Sequence, residues 1–334
     1  MKLSHYFKKT FSAIENHKET IVKVYPDIIF EAEKMLESNQ KVNYVGVKNT
    51  DVIPYDLVKE IKLHGYLHHT DDKMSDFGRA IDLNLINPIT TRFMTGSSSG
   101  TALNVFYDIN DVGIGSDGGG SVLAPAISLN LIGFISPLIY RDYTKKFSKT
   151  STDGITFSPS IGFISKKIEI IKDLVEITLK SAEEVDLDIL VSKPKFEIFK
   201  NLYAQTRDLG SSIDLSYNSF SRKSLMQDLR EVDFSKNILV SFEGPVDVKA
   251  YGDSIMGHYS SESKNNQRLG GKYYLTVVNM LDLSAVIIPS YSHGCGILLI
   301  CKSDTSHIKS MLMLAEKLVT PRSKLEEGYF SIHK

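Results

Sequence analysis

The sequence predicts an α/β protein in which helices flank both faces of a mixed central β-sheet. Short apolar runs typical of buried strands occur at residues 42–47, 285–289 and 296–301. Segments with helical spacing of apolar residues lie between and after them, most clearly at 165–182 and 306–318. Alternation of strands and helices along one chain is typical of α/β proteins.

The first third of the chain is predicted to be rich in helix. Residues 6–38 carry apolar side chains at roughly helical spacing, and Pro26 is expected to divide this region into two helices. A further helix is predicted over residues 54–64, ending before Gly65, which suits a C-terminal cap.

The middle of the chain is rich in small residues. We expect a helix over residues 98–107, a short strand over 112–116 and a short helix from Ser121, with Pro125 near its first turn. The polar stretch at 260–271 is predicted to be a loop that could serve as a lid over a site.

Composition limits the classes of function. The 334 residues are 42% hydrophobic and 24% charged, as in globular proteins with a sizeable core, and the formal net charge is -1. We therefore expect neither a nucleic-acid nor a membrane partner. No stretch approaches the roughly 18 apolar residues that span a bilayer, and the N-terminus lacks a signal-peptide core. Two cysteines form no disulfide framework, so a cytoplasmic location is expected.

Two glycine- and serine-rich segments stand out, at residues 95–100 (TGSSSG) and 113–121 (GIGSDGGGS). Consecutive glycines let backbone N–H groups converge, and a neighbouring serine can act as a nucleophile beside them. Flexible loops are an alternative interpretation. Dinucleotide binding is another, because residues 113–118 match G-x-G-x-x-G, but no strand ending in an acid follows about 20 residues on.

The spacing of these segments resembles the amidase signature family. Residues 95–102 (TGSSSGTA) and 115–126 (GSDGGGSVLAPA) are similar to its two signature segments, with Ser97 and Ser121 in corresponding positions. Upstream, residues 44–51 (YVGVKNTD) resemble the strand that carries the family's lysine. The resemblance covers most of the chain, which is shorter than typical members.

The resemblance implies one amidase-like domain over residues 1–334. Its expected parts are a helical N-terminal part at about 1–38, the signature core at 42–182, a variable substrate region at 184–280, and C-terminal strands and helix at 281–334.

The resemblance also implies a catalytic triad. Ser121 would attack an amide carbonyl, Ser97 would relay its proton, and Lys48 would be the terminal base, with no metal or organic cofactor. In the family a cis peptide bond precedes the relay serine, here the bond from Gly96 to Ser97. The partner expected is a small-molecule amide, with a second copy of the chain or a partner subunit as further possibilities.

Residues around the triad receive supporting roles from the same resemblance. The expected oxyanion hole consists of the backbone N–H groups of Gly118, Gly119, Gly120 and Ser121. Two further residues are expected to support the site, Ser98 by hydrogen bonding and Asp117 by orienting the loop.

Three departures from the family pattern leave alternatives open. Leu123 replaces an arginine, Ser99 replaces a glycine, and the interval from Lys48 to Ser97 is short. An amidotransferase-type or acyl-transfer subunit that needs a partner is therefore one alternative to a stand-alone hydrolase. A catalytically degenerate binding protein of the same fold is another.

Histidine and aspartate side chains between residues 64 and 72 raise the possibility of a metal site. Their spacing matches no established ligand pattern, so no metal is predicted there.

Overall fold

The computed structural model describes most of the chain. The described residues are 3–15, 19–151, 153–180, 182–218, 221–321 and 324–330.

Helices occur along the whole chain. They are α1 (Leu3–Glu15), α2 (Ile28–Glu37), α3 (Tyr55–Lys62), α4 (Ser99–Phe106), α5 (Leu123–Ser128), α6 (Arg141–Thr144), α7 (Ile168–Leu179), α8 (Lys200–Thr206), α9 (Arg222–Arg230), α10 (Ser261–Arg268), α11 (Thr305–Leu318) and α12 (Lys324–Phe330).

Strands alternate with these helices. They are β1 (Ile21–Val24), β2 (Asn43–Lys48), β3 (Tyr66–Asp72), β4 (Ile81–Ile86), β5 (Phe93–Thr95), β6 (Val112–Asp117), β7 (Ile132–Ser136), β8 (Lys149–Thr150), β9 (Thr156–Phe157), β10 (Ser160–Ser165), β11 (Asp188–Ser192), β12 (Ser211–Ile213), β13 (Asn237–Glu243), β14 (Leu283–Pro289) and β15 (Gly296–Lys302).

One large mixed sheet organises the molecule, in the order β1-β3-β2-β6-β10-β7-β14-β15-β13-β11-β12. Strand β2 is parallel to β3 and β6, whereas β10 is antiparallel to β6 and β7. Helices α3, α7 and α11 pack in one layer, and α4 and α5 pack against each other on the sheet. The predicted fold class, a mixed sheet flanked by helices, is confirmed.

Two glycines of β6 allow the close approach of α4. A Cβ at Gly113 would lie 2.3 Å from Cγ2 of Thr101, and one at Gly115 would lie 2.7 Å from Oγ of Ser98. Any side chain there would push α4 away from the sheet. The small residues of β6 therefore set the position of the segment that carries Ser97.

The parallel pairing of β2 and β6 brings their carboxyl ends together. Val45 pairs with Val112 and Val47 with Ile114, so Lys48 at the end of β2 lies beside the end of β6. Strand β2 is buried along its whole length. The pairing of these strands thus places Lys48 next to residues 117–121, the glycine-rich loop that follows β6.

Two predictions of local structure are wrong. Residues 6–38 contain strand β1 between two helices, and it pairs antiparallel with β3. The polar stretch 260–271 is not a loop but contains α10, whose N-cap Ser260 accepts a hydrogen bond from the N–H of Ser263. Helix α10 has no buried residue, so apolar periodicity could not reveal it.

Candidate active site

Lys48 is a buried lysine with hydroxyl partners. Its side chain is 3% exposed, and its Nζ donates to Oγ of Ser97 at 2.7 Å. Oγ of Ser116 accepts a second hydrogen bond at 3.0 Å, and the Ser116 carbonyl a longer one at 3.4 Å. No carboxylate lies within ion-pair distance of this ammonium in the described part of the chain. The lysine is therefore held by neutral oxygens.

Burial changes the proton affinity of Lys48. Desolvation disfavours the ammonium form and lowers the pKa of Lys48 to about 7, with Asp117 opposing this shift and Lys149 adding to it. A lysine with a pKa near neutrality can hold or give up a proton at ordinary pH. Beside the Ser97 hydroxyl, such a group has the properties of a general base.

Asp117 organises the glycine-rich loop. Its buried carboxylate accepts the N–H of Gly120 at 2.7 Å, that of Val122 at 2.6 Å and that of Leu123 at 3.4 Å. Burial raises the pKa of Asp117, and the three donors oppose this effect by favouring the charged form. The chain from Asp117 to Leu123 is therefore folded around one carboxylate, with Ser121 on the outer side of the turn.

The N–H groups of the glycine-rich loop are not equivalent. Gly120 donates to Asp117, so its N–H is already engaged in this structure, and its expected part in an oxyanion hole stays a prediction. The N–H groups of Gly118, Gly119 and Ser121 have no acceptor among the described residues. These three remain available to a carbonyl oxygen that enters the site.

Gly120 occupies a conformation that side chains disfavour. Its φ is +94°, and a Cβ there would lie 2.5 Å from Cδ1 of Leu275. Both the left-handed backbone and the contact require glycine. A Cβ at Gly119 would instead meet nothing closer than 3.5 Å.

Ser97 and Ser121 line the same cavity. Ser97 is 4% exposed and accepts a hydrogen bond from Lys48, and Ser121 is half-buried. The N–H of Ser98 donates to the Ser121 carbonyl at 3.2 Å, which ties the two segments together. Within the described chain, no hydrogen bond joins the two hydroxyls of Ser97 and Ser121.

The segment of residues 96–98 departs from one expectation. Ser98 does hydrogen-bond within the site, but through its backbone N–H, since its buried hydroxyl has no partner among the described residues. The bond from Gly96 to Ser97 is trans, since the one cis bond in the described chain precedes Pro245. Gly96 has a positive φ of 73°, which turns the chain at this point.

The departure at Leu123 has a structural outcome. Leu123 is fully buried in the main hydrophobic core, where the family pattern has an arginine. Its N–H still reaches Asp117. An apolar contact thus replaces a polar one below the loop, while the backbone turn around Asp117 is retained.

Sequence reasoning did not identify Ser116 or Glu243. Ser116 binds Lys48, and the pairing of β2 with β6 is the signal that could have identified it. Glu243 is buried at the end of β13 and accepts the N–H groups of Tyr273 at 2.7 Å and Leu275 at 2.9 Å. It thereby holds the turn whose Leu275 packs against Gly120. No sequence pattern linked it to the site.

The cavity at this site has a volume of about 560 Å³. Besides Lys48, Ser97 and Ser121, it is lined by the cations Arg79, Lys149 and Arg222, by the acid Asp253 and by apolar side chains that include Phe77, Phe147, Phe157 and Ile255.

In the described residues no group of three His, Cys, Asp or Glu side chains could hold a metal ion. Nor does any described helix have the length and apolar character needed to cross a membrane.

A buried lysine, two serines and a glycine-rich turn thus lie together at one edge of the mixed sheet. A family model described as Amidase matches residues 85–209, a range that includes Ser97 and Ser121 but not Lys48. The chain is 28% identical over 204 residues to the A subunit of glutamyl-tRNA(Gln) amidotransferase from Methanococcus maripaludis, covering 52% of this chain and 46% of that protein. It thus spans about half the length of this curated relative.

Solved structures share the fold. The A subunit of glutamyl-tRNA(Gln) amidotransferase from Thermotoga maritima superposes with a TM-score of 0.67 at 15% identity, over 96% of this chain and 92% of that one. A 6-aminohexanoate cyclic dimer hydrolase gives a TM-score of 0.63 at 12% identity, over 98% and 96% of the two chains. Residues 85–209 thus match the amidase family model, and the chain as a whole shares the fold of solved amidase-family structures.

Proposed function

We propose that the protein hydrolyses a carboxylic amide through an acyl-enzyme on Ser121, with Ser97 as proton relay and Lys48 as base. Oγ of Ser121 attacks the carbonyl carbon while its proton passes through Ser97 to Lys48. The C–N bond then breaks, and the leaving amine takes up a proton. Water attacks the resulting ester, which releases the carboxylic acid and restores Ser121.

One observation carries the proposal: the hydrogen bond from the buried Lys48 to Ser97, in the cavity that Ser121 also lines. A charged surface lysine could not serve as a base near pH 7 because its pKa is about 10.4. Burial lowers the pKa of Lys48 to about 7 and thus supports its role. Rotation of the Ser121 side chain toward Ser97 on substrate binding completes the relay, since catalytic hydrogen bonds often form only in the complex.

The free N–H groups of the loop support the same chemistry. Gly118, Gly119 and Ser121 carry donors without acceptors among the described residues, next to the proposed nucleophile. Such donors stabilise the oxyanion that forms when Ser121 adds to the carbonyl. Loss of one donor of this kind lowers the rate by about 10²–10³-fold in well-studied hydrolases.

A second candidate is an amidotransferase-type subunit that passes ammonia or an acyl group to a partner. The matched curated relative is itself named as an amidotransferase subunit, and this favours the alternative. The Ser121 chemistry would be the same in both cases. Only the group that resolves the acyl-enzyme and the fate of the released amine would differ.

A fluorophosphonate probe tests the proposal, because it reacts with activated serines. We expect labelling of Ser121, its loss in Ser121→Ala and Lys48→Ala, and its retention in Ser254→Ala, a serine in the same cavity without an assigned role. Absence of labelling in the folded protein would contradict the hydrolase proposal and favour a catalytically degenerate binding protein. Turnover of simple amides by the isolated chain would decide against the partner-dependent alternative.

A further inference from the structure

We propose that the amide substrate also carries a carboxylate, which Arg79 and Lys149 bind in the cavity beside Ser121. This inference rests on the proposed function and adds the substrate class to it. Two cationic side chains with unused hydrogen-bonding or charge-pairing capacity line the same cavity as Ser121.

Arg79 has a donor that the described part of the protein does not use. Its Nη2 donates to Oδ2 of Asp253 at 2.8 Å, whereas its Nε is buried and has no acceptor among the described residues. A buried donor left without a partner is unfavourable because it loses its hydrogen bonds to water, so such groups are rare unless a ligand uses them. Arg79 lines the cavity, and a turn of its side chain would bring this donor to an oxyanion bound there.

Backbone hydrogen bonds fix Arg79 relative to Ser97. The N–H of Ser75 donates to the Ser97 carbonyl at 3.3 Å, and the N–H of Gly96 donates to the Ala80 carbonyl at 2.7 Å. The turn that carries Arg79 is thus hydrogen-bonded on both sides to residues 96–97. A group bound by Arg79 is therefore held at a set distance from the reacting centre.

Lys149 is a second cation that lacks a counter-charge within the described residues. It lies on β8, lines the cavity, and its Nζ is 5.7 Å from the ring centroid of Phe157, which packs on Gly118. No carboxylate in that part of the chain forms an ion pair with it. The adjacent Arg222 differs, because Asp153 accepts its Nε hydrogen bond at 2.8 Å.

The acids of the cavity are already engaged. Asp253 is 1% exposed, and its Oδ1 accepts the N–H of Ile255 while Oδ2 accepts Arg79. Asp117 is taken up by the loop. A cationic substrate would therefore meet no free carboxylate among the described lining residues, whereas an anionic one meets the Lys149 ammonium and the Arg79 guanidinium. The charge balance favours a carboxylate-bearing amide over a neutral or cationic one.

Competition with the fluorophosphonate probe tests this inference. Simple model amides that bind in the cavity should protect Ser121 from labelling. The competitors are succinamate and glutaramate, each with one amide and one carboxylate, and their neutral diamides, succinamide and glutaramide. We expect the carboxylates to protect Ser121 at concentrations roughly tenfold lower than the diamides, the scale of a charge-assisted hydrogen bond.

Substitutions assign the effect to the two cations. Lys149→Met, on an exposed strand, should reduce the tenfold ratio severalfold, and Arg79→Gln should do the same. Lys146→Met is the matched control, because Lys146 lies over the Tyr143 ring outside the cavity, and it should keep the ratio. If Ser121 is labelled but the carboxylates and the diamides protect it equally, or neither protects it, the inference is overturned and the hydrolase proposal stays intact. Absence of labelling would overturn both.

Discussion

The amine of Lys48 and the hydroxyl of Ser97 are 2.7 Å apart at the carboxyl end of β2, and no carboxylate among the described residues lies within ion-pair distance of the lysine. Most buried lysines in proteins are paired with an acid. Here neutral hydroxyl and carbonyl oxygens replace the acid, which leaves the proton on Lys48 exchangeable. This pair connects the sheet to the proposed chemistry.

Removal of the lysine should abolish the proposed base. Lys48→Met keeps an apolar chain of similar length in the buried site, so we expect a folded protein whose kcat/KM is lower by about 10²–10⁴-fold, the usual contribution of general acid–base catalysis. Circular dichroism gives the fold and amide turnover the rate. A variant with near-normal turnover would remove Lys48 from the mechanism.

Activity should rise with pH through about 7. The pKa of Lys48 is lowered to about 7, and only the neutral amine accepts a proton, so kcat/KM should fall as pH decreases below this value and level off above it. Lys149 contributes to the lowering by like-charge repulsion. Lys149→Met should therefore move the midpoint to higher pH, while Lys146→Met should not. A midpoint that is the same in all three proteins would contradict the assignment to Lys48.

Stability should also depend on pH through Lys48. The folded pKa of about 7 lies below the unfolded value of about 10.4, so between these values the unfolded state binds more protons. The free energy of unfolding should therefore increase with pH over this window, by up to about 1.4 kcal/mol per unit. Urea unfolding at several pH values measures the slope. Lys48→Met is the control, and an identical slope in it would assign the effect to other groups.

The two central glycines should differ in their tolerance of a methyl group. Gly120→Ala forces a side chain into a φ of +94° and against Leu275, so we expect destabilisation of about 1–3 kcal/mol and loss of labelling at Ser121. Gly119→Ala meets only ordinary contacts and should leave thermal stability within about 0.5 kcal/mol of the parent. Equal melting temperatures for the two variants would show that the loop does not require the left-handed conformation of Gly120.

Loss of charge at Asp117 should loosen the loop. Asp117→Asn keeps the size of the side chain but replaces one acceptor oxygen with an amide group, so at least one of the hydrogen bonds from Gly120, Val122 and Leu123 is lost. Each bond to a charged group contributes about 1.5–3 kcal/mol. We expect a lower melting temperature and a lower kcat, measured together. An unchanged kcat in a destabilised variant would limit Asp117 to a structural role.

Local sequence patterns predicted much of the fold because apolar periodicity marks buried elements. Strand β2 and helix α7 lie within a few residues of their expected positions. Strand β1 was missed because four residues between two helices carry little periodic signal. Helix α10 was missed because it is polar on all sides and depends on its Ser260 cap.

The candidate site was predictable where it follows from adjacent segments and not where it depends on tertiary contacts. The spacing of Ser97 and Ser121 identified the two loops that the structure brings to one cavity. Three consecutive glycines do not show which of their N–H groups are free. In the structure the Asp117 carboxylate accepts the N–H of Gly120 and leaves the others without an acceptor among the described residues. Arg79 meets Asp253 across 174 positions of the chain, so their pairing has no local signature.

The buried carboxylate of Glu243 has a consequence for protein engineering. Exchange of residues 184–280, the expected substrate region, for the corresponding segment of a relative is one route to test specificity. That exchange would also replace Glu243 and the turn at Tyr273 and Leu275 that it holds against Gly120. Chimeras should therefore retain both, because the exchanged segment also contains the residues that pack against the loop before Ser121.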